Sequence, residues 1–94
     1  MYQAYFTKFD NESNWVRGEI GEYTFDAKLF NIDSMYGIEG GRVSKLSIYC
    51  GSSIKDHICN YDRGWDIAPR NKEEEMIFDA VMDLLENSEE RDLD

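Results

Sequence analysis

The side chains most capable of chemistry gather in one short stretch, Asn60-Tyr-Asp-Arg-Gly-Trp-Asp66, with His57 and Cys59 just ahead of it. Asp62 and Asp66 flank Arg63, and a carboxylate pair performs acid and base work when its surroundings separate the two pKa values. Nothing in this spacing imposes that separation. The structural alternative is a turn: Asp62 closes it through its own side chain, Gly64 supplies the positive φ, and Arg63 pairs with a carboxylate across a sheet. A third reading makes Tyr61, Asp62, Arg63, Trp65 and Asp66 a protein-binding surface, because aromatic and arginine side chains dominate such contacts.

His57 is the single histidine, so a nucleophilic triad would have to combine it with Ser44, Ser47, Ser52, Ser53, Cys50 or Cys59. No nucleophile elbow surrounds any of them. A metal could draw on His57, Cys59, Asp62 and Asp66, yet their spacing matches no zinc pattern and the mixture of soft and hard donors selects no ion. Neither a metal nor a cofactor is expected. The enzymatic alternative is a small metal-dependent hydrolase or nuclease working through Asp62, Asp66 and His57.

A second constellation is purely acidic. Glu75, Asp79, Asp83, Glu86 and Glu90 fall within about 80° of one another at 100° per helical residue, and form one continuous ridge. Like charges four apart repel by a few tenths of a kcal/mol in a helix, so this is not the cheapest way to solvate a surface. The ridge reads either as an ordinary solvent face or as an imitation of nucleic-acid phosphates, with Asp79, Asp83 and Glu86 at its centre.

The elements that must position these residues are strands first and a helix last. Through residue 70, apolar and polar side chains alternate and Val, Ile, Tyr, Phe and Trp are frequent. The first run sets Tyr2, Ala4 and Phe6 against Tyr5, Thr7 and Phe9, and ends in the polar turn Asp10–Asn14. Runs over 15–20 and 23–30 are joined by Gly21-Glu22, a two-residue hairpin whose first position needs positive φ. Residues 31–41 break the alternation and hold Gly37, Gly40 and Gly41, which do not form a phosphate loop because no lysine follows at the right spacing. From Arg42, Leu46, Ile48 and Cys50 face one way and Val43, Lys45, Ser47 and Tyr49 the other. Short strands at 57–61 and 65–68 enclose a hairpin over Asp62-Arg63-Gly64, with Gly64 left-handed.

After Pro69, Asn71 and Glu74 make a capped helix start, and Met76, Ile77, Ala80, Val81, Leu84 and Leu85 form an apolar stripe to about Asn87. The expected fold is α+β: a mainly antiparallel sheet of about five strands with one C-terminal helix packed on it. Residues 1–87 make a single domain, and 88–94 form a polar, frayed tail.

Composition narrows the function classes. Twenty acids against ten bases give a net charge of -10, which disfavours direct nucleic-acid binding. Residues 1–70 carry ten acids and eight bases, whereas 71–94 carry ten acids with only Lys72 and Arg91. The excess belongs to the helical end. No apolar run is long enough to span a membrane and the first residues lack the pattern of a secretory signal, so a cytoplasmic location is expected. Cys50 and Cys59 read as reduced core residues.

Tyr36-Gly-Ile-Glu-Gly-Gly-Arg-Val-Ser-Lys-Leu46, Asn60-Tyr-Asp-Arg-Gly-Trp-Asp66 and the helix after them resemble a small domain family of unknown function from Gram-positive bacteria and their phages, over residues 14–86. That resemblance implies a stand-alone accessory domain, often carried on mobile elements, with no established activity to transfer. The expectation is a small non-enzymatic, protein-binding accessory protein. An acidic inhibitor of the anti-restriction or anti-CRISPR kind is one alternative. A homodimer joined along the sparsely charged run from Met1 to Phe9 also stays open.

Overall fold

The computed structural model describes residues 3–10, 12–30, 37–50 and 57–87. Its elements are β1 (Ala4–Asp10), β2 (Trp15–Ile20), β3 (Tyr23–Leu29), a 3₁₀ turn (Ile38–Gly40), β4 (Val43–Cys50), β5 (His57–Asp62), β6 (Trp65–Ile67) and α1 (Lys72–Asn87). The six strands form one antiparallel sheet in the order β1-β2-β3-β4-β5-β6, so each strand pairs with its neighbour in sequence. The sheet has six strands rather than about five: every alternating run pairs, including the short Trp65–Ile67 against Asn60 and Tyr61.

Local chemistry fixes the connections. Gly21 takes φ 58 between β2 and β3, the conformation a tight hairpin needs. In the turn before β2, Asn14 takes φ 65, tolerable for asparagine, and Asp10 Oδ1 accepts the Glu12 and Ser13 amides. Between β5 and β6 the left-handed residue is Arg63, at φ 60, and not Gly64. The Arg63 amide donates to Ser44 O and the Asp62 amide to Gly64 O, and these bonds hold arginine in a region it rarely visits.

Of the four register shifts in the sheet, two move residues to the face opposite to that expected. One lies between Phe6 and Lys8 of β1. It turns Phe9 back to the side of Phe6, so that the two rings stand 5.0 Å apart and do not point to opposite faces. The other pairs Leu29 with Val43 and Lys28 with Lys45, leaving Ser44 as the extra residue. Val43 therefore joins the core, against the plain alternation of its strand.

The helix covers one face of the sheet. Ile77, Val81 and Leu85 are fully buried against Val16, Ile20, Phe25, Ala27, Leu29, Val43, Leu46, Ile48, Cys59 and Tyr61. Each large aliphatic burial is worth about 1.5–3 kcal/mol, so this layer carries most of the fold's stability. Gly18 belongs to it: a Cβ there would collide with the Phe25 ring and the Tyr5 carbonyl. Met76, expected in the apolar stripe, is exposed, because the stripe centres near Val81 and Met76 lies about 140° around the helix from it. Cys59 is buried, but Cys50, the last residue of β4, is exposed across from Tyr23.

At the start of α1, Asn71 Oδ1 accepts the Glu74 amide at 2.9 Å. Glu74 completes the cap one residue earlier than expected, taking the Arg70 amide at 2.8 Å and its guanidinium at 3.2 Å. Burial pulls the Glu74 carboxyl up, but the bonds from Arg70 and its charge pull it further down, below the ordinary glutamate range. Among the described residues no helix is long and apolar enough to cross a membrane.

Candidate functional site

The quoted motifs turn out to hold the fold together. In the glycine-rich motif, Arg42 clasps the end of the helix: its amide donates to Glu86 Oε2 at 3.0 Å, and Nη2 donates to Leu85 O at 2.9 Å and Glu86 O at 3.1 Å. These carbonyls lie in the last turn, where intrahelical partners run out and a cation is favoured. Gly41 lies so close to the Glu86 carboxylate that a Cβ there would push the carboxylate aside. Ile38, in the same segment, is buried in the core. In the second motif, Tyr61 is buried and its ring meets Trp65 edge-on, and Trp65 meets Phe78 of the helix. Asn60 accepts from Ser47 and donates to Asp66, while Asp62 pairs with Lys45 and Arg63.

The candidate nucleophiles and base have structural partners of their own. Cys59 points into the core, and burial raises its thiol to about 12. His57 lies across the ladder from Tyr49, and the two rings meet edge-on at 5.8 Å. Ser47 gives its hydroxyl hydrogen to Asn60, and Ser44 is buried beneath the β5–β6 hairpin. Ser52, Ser53, Tyr36 and Glu90 lie outside the described residues, as do 88–94. No group of three or more His, Cys, Asp or Glu among the described residues could hold a metal ion.

The acidic ridge divides in two. Glu75, Asp79 and Asp83 are exposed, and Asp83 accepts from Asn87 at the helix end. Glu86 is engaged by Arg42, a partner 44 residues away that helical spacing could not reveal.

A site that the motifs did not indicate lies on the uncovered face of the sheet. A concave depression of about 490 Å³ is lined by Lys8, Asp10, Ser13, Trp15, Val16, Arg17, Asp26, Ser47 and Tyr49. Strand register builds it in rows. Lys8, Arg17, Asp26, Ser47 and Asn60 follow one another across β1 to β5, and Asp10, Trp15, Lys28, Lys45 and Asp62 form the next row. Asp26 sits at the centre, accepting from Arg17 Nε at 2.6 Å and from the Tyr49 hydroxyl at 2.6 Å. Burial, followed by this hydrogen bond to a carboxylate, pushes the Tyr49 phenol up to about 12, so it remains a donor at neutral pH. Trp15 is 38% exposed at the rim. Asp10 is held below the ordinary aspartate range by the hydrogen bonds from Ser13. Aromatic walls with a few fixed polar groups are the usual construction of a binding surface.

A family described as a domain of unknown function (DUF7678) matches residues 14–86, more than three quarters of the chain. The chain belongs to that family. No curated protein and no solved structure matches it. The DUF7678 region starts just before Trp15 and ends at Glu86, so it includes both the Arg42–Glu86 clasp and the greater part of the open sheet face. Only Lys8, Asp10 and Ser13 of the depression come from outside it. The sequence signal for this site was faint: Lys8, Trp15, Arg17, Asp26, Ser47 and Tyr49 are spread over the four strands β1 to β4 and converge only through the register.

Proposed function

We propose that this DUF7678 protein is a small non-enzymatic binding domain, and that it recognises a protein partner with the uncovered face of its sheet around Trp15. The observation that carries the reading is the Arg17–Asp26–Tyr49 network: three polar side chains locked together on an open face, beside a large, partly exposed aromatic ring. A face of this kind offers fixed hydrogen-bonding groups at little entropic cost on binding. The resemblance of the Tyr36–Leu46 and Asn60–Asp66 motifs to phage and Gram-positive domains supports an accessory role in the cytoplasm of such a host.

Affinity capture from host lysate with three proteins tests this: wild type, Trp15→Ala with Ser47→Tyr, and Asp79→Asn with Asp83→Asn, each checked for folding by circular dichroism. Loss of the partner with the first variant pair alone supports the sheet face. Loss with the second pair alone would overturn it and favour the acidic helix face.

A further inference from the structure

We infer that the Trp15 depression takes a carboxylate of the partner, carried on an extended acidic segment with an apolar side chain next to it. This rests on the open-face reading above and adds the chemistry of what binds there. The evidence is an arrangement of charge that folding alone disfavours. In a chain with twice as many acids as bases, Lys8 stands directly across the ladder from Arg17, and Lys28 directly across from Lys45. Like charges placed opposite each other destabilise a sheet.

The nearby carboxylates are already committed. Asp26 holds Arg17 and the Tyr49 hydroxyl, Asp62 holds Lys45 and Arg63, and Asp10 closes its own turn. Lys8 and Lys28 make no close ion pair among the described residues: the Lys8 charge only helps to lower the Asp10 carboxyl, and Lys28 Nζ lies 5.7 Å from the Phe30 ring centre. Trp15 has Asp10 directly across on β1 with Lys8 diagonal to it, Arg17 two residues along its own strand and Lys28 directly across on β3, so three cations and one turn-bound carboxylate surround the ring. A carboxylate over this ring would meet cations from three strands, and an apolar neighbour would cover the indole.

A protein carboxylate fits better than a nucleic acid. The net charge of -10 repels a polyanion as a whole, whereas a single carboxylate at the site is shielded from the helical acids beyond about 8 Å in physiological salt.

The test is an NMR titration of the full chain with a capped hexapeptide alternating glutamate and phenylalanine, its lysine counterpart and inorganic phosphate. Trp15→Phe assigns the Trp15 indole signal. The glutamate peptide should move that signal and the amides of Lys8, Arg17 and Lys28. Lys8→Ala and Lys28→Ala should each weaken binding about threefold, and added salt should weaken it further. Equal response to the lysine peptide, shifts confined to the helix, or no response at all would overturn the inference. Equal response to phosphate would overturn the assignment to a carboxylate. If capture of the partner depends on Trp15 but ignores salt and both lysines, this inference fails and the open-face reading survives. If capture ignores Trp15, both fail.

Discussion

Removing the Arg42 side chain should unfasten the helix end, and the cost can be worked from its contacts. Arg42→Ala deletes two hydrogen bonds from a charged donor, to Leu85 O and Glu86 O, and the ion pair to Glu86. The arginine side chain is 13% exposed and the glutamate 31%, so both are largely withdrawn from water. Hydrogen bonds from a charged group contribute about 1.5–3 kcal/mol each, and neighbouring ones do not add fully. A loss of about 2–4 kcal/mol follows, a large part of a small domain's stability. Glu86→Gln keeps an acceptor for the Arg42 amide and should cost about 1 kcal/mol. Asp79→Asn, on the same acidic ridge but exposed, should stay within about 0.5 kcal/mol. Urea unfolding followed by helical circular dichroism gives all three values. If Arg42→Ala costs no more than Asp79→Asn, the clasp is not a structural element and this division of the ridge is wrong.

Further outcomes are expected. Gly18→Ala should destabilise the sheet by about 1–3 kcal/mol through overpacking against Phe25, readable in the same unfolding experiment. Asn71→Ala should cost about 1 kcal/mol by removing the cap on the Glu74 amide, with helical content reduced in its first turn. For Tyr49, folding raises the phenol from 10.0 to about 12, so the folded state holds its proton longer than the unfolded chain. Its contribution is therefore complete below pH 10 and is lost as pH rises towards 12. Alkaline unfolding of Tyr49→Phe should show a shallower fall over that window, and an unchanged slope would contradict a phenol both buried and bonded to Asp26.

What could be read from the sequence was whatever depended on local periodicity. The strands, the Gly21 turn and the Asn71 cap follow from alternation, from a φ that glycine tolerates and from a side chain that bonds a nearby amide. Phe9 and Val43 lie on the face opposite to the one that alternation predicts, because a bulge separates each from the rest of its strand, before Phe9 in β1 and after Val43 in β4, and one inserted residue reverses the parity across it. Gly64 was the natural choice for a left-handed residue, yet the bond from the Arg63 amide to Ser44 O, across a strand pairing, decided otherwise. Long-range contacts were equally hidden. Arg42 and Glu86 are distant in sequence, and the packing of Tyr61 and Trp65 of the Asn60–Asp66 motif towards Phe78 likewise depends on a helix that follows the motif. The rows of Lys8, Trp15, Arg17 and Lys28 emerge only once the register of three strands is known.

Whether the uncovered sheet face or the helix meets the partner is decided by a photo-reactive side chain placed at Lys28, and in a second protein at Asp79, in the host lysate. Cross-linking of a partner from position 28 and none from position 79 is the predicted result. Cross-linking from position 79 alone would contradict the account.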